Sequence, residues 1–110
     1  KDLKQSTRQR FVALEFDYPN VEKEQLIVEQ EAPGIENDVA KHLVKFGRMT
    51  RNLKGGGLDE GASTRLLVNA AKLIVAGIQP VLATDTAVAL ALTDDEDMLK
   101  AVHELSRSVF

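Results

Sequence analysis

The chain has 110 residues, 44% of them hydrophobic and 28% charged, and its formal net charge is −3. This length and apolar content suit one domain with a modest core. A small negative charge with both signs interspersed is typical of an ordinary soluble surface and argues against a polyanion binder. Cysteine is absent, and His42 and His103 are far apart in sequence, so we expect no disulfide, no thiolate site and no metal site.

Hydropathy and the N-terminal sequence indicate the cellular compartment of the protein. No run of about 18 apolar residues could form a membrane helix, and the first residues lack the apolar region of a signal peptide. We therefore expect a cytoplasmic protein with no membrane association. Because the chain starts at Lys1 rather than at a methionine, we expect the natural start to lie upstream, whereas Val109-Phe110 is typical of a natural end.

Residues 11–18 (FVALEFDY) are rich in aromatic and apolar side chains and predict one short strand. A strand must pair with another to satisfy its backbone donors and acceptors. No other segment predicts a partner strand, so we interpret the chain as a piece of a larger unit.

The rest of the sequence predicts five helices, of which the first two precede a glycine run. Asn20 can cap a helix over residues 21–31, in which Leu26 would face the core, and Pro33-Gly34 ends it. A second, clearly amphipathic helix is predicted over about residues 35–52. Its apolar side consists of Val39, Leu43, Phe46 and Leu53.

The opposite side of the second helix carries a basic stripe formed by Lys41, Lys45, Arg48, Arg51 and, just beyond, Lys54. Alternating charge on a helix face is usually solvated, and we favour that interpretation. A nucleic-acid interface is the weaker alternative, because the pI is near 5.4 and one tyrosine and no tryptophan are available for stacking.

Glycines 55–57 predict that residues 54–61 form a mobile or ligand-shaped loop. Ser63 is a good N-cap for a third helix, which is so apolar over residues 66–78 that we place it in the middle of the bundle. Gly77 is suited to end that helix in the left-handed conformation.

The last two helices have recognisable starts. Pro80 suits the first position of the fourth helix, which we expect to run to about Leu92. Residues 93–96 (TDDE) have the pattern of a capping box that opens the fifth helix. Its buried stripe is predicted to consist of Met98, Val102, Leu105 and Val109. The fold class is therefore mainly α, a five-helix bundle preceded by one short β-strand.

The sequence holds no independent ATPase site. Gly56 and Gly61 have the spacing of a P-loop, but Ala62 stands where the phosphate-binding lysine belongs. The acidic run at residues 94–97 follows a helix and is explained as a helix start rather than as a magnesium site. We therefore expect the fragment alone not to be catalytic.

Arg65 is the strongest candidate for a functional residue. It lies in the predicted first turn of the third helix, where the partial positive charge of the helix disfavours a cation unless an anion is present. Free N–H groups near Gly61 and Ser63 converge on the same place, and Asn69 and Lys72 extend a polar strip. The alternative is a surface arginine paired with an acidic residue at position 59 or 60.

Four segments together carry a family resemblance: residues 1–11 (KDLKQSTRQRF), 47–53 (GRMTRNL), 61–67 (GASTRLL) and 92–95 (LTDD). In this order they resemble the C-terminal portion of the CbbQ/NorQ/NirQ group within the MoxR branch of AAA+ ATPases. The resemblance spans essentially the whole chain. Gln5 replaces a proline usual in the family, and Asn69 stands where an aromatic residue is frequent.

The resemblance implies domains and site residues. Residues 1–18 would be the end of the AAA+ core, and residues 19–110 the C-terminal helical lid. Arg65 is similar to the sensor-2 arginine, which reaches the nucleotide phosphates from the lid, with Ser63 and Gly61 beside it. Arg10 resembles the arginine finger offered to a neighbouring subunit, and Arg8 is the second choice for that role.

The resemblance also implies an assembly. The full-length protein would bind ATP and Mg²⁺ through Walker motifs upstream of Lys1, whereas the fragment would bind neither. It would form a ring, a hexamer, and with a von Willebrand factor A-domain partner would remodel or activate a client enzyme such as Rubisco or nitric oxide reductase. The alternative is a stand-alone helical protein-interaction module without nucleotide binding.

Overall fold

The computed structural model describes residues 18–54 and 56–110. In these ranges the elements are, in chain order, α1 (Val21–Glu31), α2 (Asn37–Arg51), α3 (Thr64–Val75), α4 (Pro80–Thr84), a π-helical turn (Asp85–Ala89), α5 (Leu90–Leu92) and α6 (Glu96–Val109). Because α4, the π-helical turn and α5 follow without a break, the described residues form five helical rods. The prediction of a mainly α, five-helix protein is confirmed. The predicted strand over residues 11–18 lies, apart from Tyr18, outside the described residues.

Most helix boundaries follow from local capping signals. The Asn20 side chain accepts a hydrogen bond from the N–H of Lys23 at 2.8 Å, and Ser63 accepts one from Leu66 at 3.3 Å. Gly77, with φ of 109°, follows α3 in the left-handed conformation, and Pro80 opens α4. These four predictions from sequence are confirmed, because each depends only on residues within one or two turns of the chain.

The predicted capping box at residues 93–96 is wrong in its register. The N-cap of α6 is Asp95, whose carboxylate accepts from the N–H of Met98 at 2.9 Å. The Thr93 hydroxyl accepts from the N–H of Asp95 at 3.1 Å and so stabilises the turn before the helix. A carboxylate is a strong acceptor for first-turn N–H groups, and the helix therefore starts two residues later than expected.

The hydrophobic core lies where α3 meets the other helices. α3 contacts α1, α2, α4 and the π-helical turn, while α6 packs across α2, α4 and the same turn. The prediction that α3 is central is confirmed. The largest fully buried apolar side chains are Phe46, Leu43, Leu67, Val28, Val44, Val88 and Val102. Among residues 18–54 and 56–110, no helix is both long enough and apolar enough to cross a bilayer.

The prediction that Leu26 faces the core is wrong, since Leu26 is 56% exposed. The inward face of α1 carries Glu24 and Val28 instead, both fully buried. Leu26 lies about 200° around the helix from Glu24 and therefore on the other side. The inward position of a glutamate requires a compensating partner, because an unpaired buried carboxylate is strongly unfavourable.

Within the described part of the segment between α2 and α3, three residues pack into the fold instead of lying in an open loop. Leu58 is 3% exposed, and Gly61 and Ala62 are buried. At Gly61 the chain passes so close to α2 that an added Cβ would collide with the Cα atom of Arg51 and lie 2.7 Å from its backbone nitrogen. Glycine at this position therefore permits the close approach that seats the start of α3 against α2.

We expect Gly61→Ala to lower the free energy of unfolding by about 2 kcal/mol, because backbone atoms must move to accommodate the methyl group. Gly56→Ala is the matched control, since the nearest neighbour of its Cβ would be the Leu53 carbonyl oxygen at 3.4 Å. Denaturant unfolding followed by circular dichroism measures both. Equal stability of the two variants would contradict the close approach at Gly61.

Candidate functional site

A buried ion pair joins α1 to the end of α2. Glu24 is fully buried, and the Arg51 side chain is 10% exposed. Arg51 Nη1 donates to Glu24 Oε1 at 2.9 Å and Nη2 donates to Oε2 at 2.5 Å, so the contact is bidentate. Such a fork-to-carboxylate geometry restricts orientation as well as distance. The pair therefore sets how α1 lies against α2.

The same carboxylate holds the first residue of α3. The Thr64 hydroxyl donates to Glu24 Oε2 at 2.7 Å. Glu24 thus accepts three hydrogen bonds, two from α2 and one from α3, and three helices meet at one buried carboxylate. In the described part of the chain, no buried side-chain polar atom lacks a hydrogen-bond partner, so the burial of this charge is compensated.

The residue before the cap of α3 is held from both sides by α2. Arg51 Nε donates to the Ala62 carbonyl oxygen at 2.9 Å, and the Ala62 N–H donates to Thr50 Oγ1 at 3.0 Å. The Thr50 hydroxyl donates in turn to the Gly47 carbonyl oxygen at 2.6 Å. Both backbone groups of Ala62 are therefore satisfied by neighbouring side chains of α2, as a buried backbone segment requires.

Arg51 also contacts the first described residue of the chain. Its guanidinium carbon lies 3.7 Å from the centre of the Tyr18 ring, which is cation–π geometry. Tyr18 immediately precedes the loop that leads into α1. Arg51 is thus in contact with residues before α1, within α1 and before α3.

The prediction that Arg51 belongs to a solvated basic stripe is wrong. Lys41, Lys45, Arg48 and Lys54 are exposed, whereas Arg51 points into the network around Glu24. The sequence contained one signal of this arrangement, a glutamate one turn before the apolar Val28 on the same helix side. Identifying its partner required knowledge of a contact across 27 positions of the chain.

Arg65, the predicted phosphate-binding residue, is exposed at the start of α3. It lines a cleft of about 300 Å³ between α1 and α3, together with Ile27, Glu31, Thr64, Val68, Asn69 and Lys72. The first turn of α3 contains no acidic residue. Arg65 forms no ion pair with any carboxylate in the part of the chain that the structure describes, so the alternative pairing with an acidic neighbour is not observed.

The other predicted site residues have different positions. Ser63, two positions before Arg65, caps α3, and Gly61, four positions before Arg65, is buried against the backbone of α2. Gly61 therefore shapes the approach to the site rather than offering an open surface. Arg8 and Arg10 lie outside the described residues.

A second groove, of about 700 Å³, lies between α6 and the rod formed by α4, the π-helical turn and α5. Leu82 and Leu90, 52% and 63% exposed, line it. Near them His103 Nδ1 lies 2.8 Å from Asp85 Oδ2. Asp85 begins the π-helical turn, where its carbonyl oxygen accepts from the N–H of Leu90 five residues later. Among the residues that the structure describes, no three acidic or histidine side chains are grouped to hold a metal ion.

We expect Arg51→Met to lower the free energy of unfolding by about 3 kcal/mol or more, because it leaves the buried Glu24 carboxylate without its counter-charge. Arg48→Met, on the exposed side of the same helix, should change stability by less than about 0.5 kcal/mol. Denaturant unfolding of the two variants measures the difference. A small effect of Arg51→Met, equal to that of Arg48→Met, would show that the pair is not a stabilising contact.

Comparison with known proteins places this chain in a family. The family described as CbbQ/NirQ/NorQ C-terminal matches residues 24–109. The chain is 48% identical over 110 residues to protein CbbQ of Hydrogenophilus thermoluteolus and 43% identical over 110 residues to protein NorQ of Paracoccus denitrificans. It is 45% identical over 105 residues to the denitrification regulatory protein NirQ of Pseudomonas aeruginosa.

These alignments cover nearly all of the present chain, namely 100%, 100% and 96% of it. They cover 41%, 40% and 40% of the relatives, so the chain spans about two-fifths of their length. The resemblance to the C-terminal portion of the CbbQ/NorQ/NirQ group, inferred from the four sequence segments, is confirmed. The chain belongs to the CbbQ/NirQ/NorQ C-terminal family.

Proposed function

We propose that this chain is the helical lid of a MoxR-type AAA+ ATPase, preceded over residues 1–18 by the end of the ATPase core. Membership of the family and the segment at residues 61–67 (GASTRLL) support this proposal. ATP and Mg²⁺ would be held mainly by Walker motifs in a part of the protein upstream of Lys1. The present chain would contribute arginines to that site and would not hydrolyse ATP alone.

The observation that carries the proposal is the setting of Arg65. Its guanidinium is exposed beside the N-terminus of a capped helix and has no carboxylate partner in the described ranges. Asn69 and Lys72 follow on the same side of α3 and line the same cleft. Arg65, Asn69 and the positive end of α3 form an arrangement that suits phosphate oxygens. Lys72 adds a cation in the last turn of the helix, and Glu31 of α1 is the one acidic residue among the described residues that line the cleft.

The work of the complete protein would be the activation or remodelling of a client enzyme, of the Rubisco or nitric oxide reductase type. The printed name of the Pseudomonas relative, denitrification regulatory protein, is consistent with a regulatory role for that relative. We propose the same class of activity here, exerted by a hexameric ring in the cytoplasm with a von Willebrand factor A-domain partner.

In the full-length protein, we expect Arg65→Ala to lower kcat/KM for ATP hydrolysis by about 100-fold. Removal of one preorganised donor that stabilises transition-state charge has an effect of about this size in other enzymes. Arg107→Ala is the matched control, because Arg107 is an exposed arginine whose contact with Glu104, at 3.7 Å, is weak. Steady-state ATPase assays measure the activity of both variants, and thermal unfolding checks that both are folded. Unchanged hydrolysis in the Arg65 variant would refute the proposed role.

Arg10→Ala is expected to abolish turnover in the full-length ring, with a loss of about three to five orders of magnitude, because a finger stabilises charge on the transferred phosphoryl group of a neighbouring subunit. Mixing this variant with a subunit whose Walker motifs are inactivated should restore part of the activity, since each defect then lies in a different subunit. Arg8→Ala is the comparison for the second-choice residue. Failure of any mixture to regain activity would contradict a role in trans for Arg10.

The apolar groove lined by Leu82 and Leu90 favours a second candidate function, a helical protein-interaction module without nucleotide binding. Exposed apolar side chains beside a groove of this size are typical of contact surfaces. The two functions differ in their dependence on Arg65. An interaction module would bind its partner equally well with and without ATP and would be unaffected by Arg65→Ala.

A further inference from the structure

We propose that Thr64 and the Glu24–Arg51 pair are positioning residues for Arg65, and that Tyr18 connects this network to the N-terminal segment. The proposal rests on the proposed function of Arg65 as a phosphate-binding residue. It explains how the backbone of that exposed arginine is held in one position. The network lies beside the first turn of α3, and Thr64 belongs both to the network and to the lining of the cleft.

The first step concerns the start of α3. Ala62 is held through both its N–H and its carbonyl oxygen, and Thr64 is held through its hydroxyl. These contacts lie on either side of the cap residue Ser63 and directly precede Arg65. The backbone that carries Arg65 is therefore attached to α1 and α2 by three hydrogen bonds. Two of them involve a charged group, the Arg51 guanidinium or the Glu24 carboxylate, and such bonds are shorter and stronger than neutral ones.

The second step concerns why such a network is present. A long, exposed arginine side chain has many rotamers. The region that its guanidinium can reach is therefore defined only if the backbone that carries it is held firmly. Displacements of about 1 Å at a reacting centre can cost about two orders of magnitude in rate. A buried ion pair by itself is weak evidence for stability, because apolar residues of similar volume are often equally stable. The bidentate geometry of Glu24 and Arg51 instead fixes the orientation of α1 against α2, and the Thr64 hydroxyl attaches α3 to the same carboxylate.

The third step concerns Tyr18. Its ring covers the guanidinium of Arg51, the same group that binds Glu24 and Ala62. Tyr18 directly follows residues 1–17, which contain Arg8 and Arg10. A continuous series of contacts therefore runs from Tyr18 through Arg51 and Glu24 to Thr64, one residue from Arg65. A change in the position of residue 18 would act on the setting of α3 through these contacts.

The test is a double-mutant cycle in the full-length protein, with kcat and KM for ATP as readouts. Thr64→Val removes the hydroxyl while keeping the side-chain shape, and we expect kcat/KM to fall about tenfold. Thr64→Ser keeps the hydroxyl and should stay within about twofold of the unmodified protein. In an Arg65→Ala background, Thr64→Val should have no further effect, because a positioning residue acts only through the residue it positions.

Tyr18→Leu supplies a second variant that is expected to fold, since Tyr18 is 38% exposed. We expect kcat/KM to fall about threefold in Tyr18→Leu, and we expect no such fall when Arg65→Ala is already present. Tyr18→Phe retains the aromatic ring and should therefore keep the activity of the unmodified protein. Thermal unfolding and ring assembly are measured for every variant, and the assays are run at a temperature where all are folded.

The outcomes separate the two proposals. If Thr64→Val and Tyr18→Leu reduce activity by the same factor with and without Arg65, the residues have only a general structural role and the positioning inference is wrong, while the proposed function stands. An unchanged kcat/KM in both single variants overturns the inference as well. If Arg65→Ala itself leaves hydrolysis unchanged, the proposed function fails and the positioning inference fails with it.

Discussion

The structure depends on the placement of one fully buried carboxylate. Glu24 lies on the inward face of α1, where an unpaired charge would be strongly unfavourable, and Arg51 and Thr64 supply three donors to it. Because these donors come from α2 and α3, the charge is satisfied only when all three helices are correctly arranged. Pairing of the buried charge therefore restricts how the helices are arranged. The apolar core around Phe46, Leu43 and Leu67 is a second constraint on the same arrangement.

The two arginines near the start of α3 show how burial decides the role of a side chain. Arg51 is enclosed by Glu24, Ala62 and Tyr18, so its charge is used within the fold. Arg65 lies in the first turn of α3, lines the cleft between α1 and α3 and forms no ion pair with a carboxylate in the described part of the chain. An arginine whose charge is not neutralised internally remains available to an anion from outside the chain. This difference is why the proposed phosphate contact is assigned to Arg65.

The π-helical turn at Asp85–Ala89 gives the opposite side of the molecule a distinct shape. It widens the helix between α4 and α5, and the neighbouring groove exposes Leu82 and Leu90 next to the contact between His103 and Asp85. Turns of this kind are rare and are often found at functional sites. The lid proposed here would therefore present two different surfaces, a polar cleft at the start of α3 and an apolar groove along α6.

The sequence by itself determined the helical class, the family resemblance and most helix starts, because Asn20, Ser63, Gly77 and Pro80 act on backbone groups within a few residues. It also singled out Arg65 as a cation in the first turn of α3 and left pairing with an acidic residue at position 59 or 60 as the alternative. Only the tertiary structure decided that Leu26 is exposed, that Arg51 is enclosed and that Gly61 packs on α2. These features depend on contacts between residues that are 10 to 40 positions apart, as are Arg51 and Gly61 or Glu24 and Thr64. Helical periodicity indicates which residues share a face, but the partner that the face meets is set by how the helices pack.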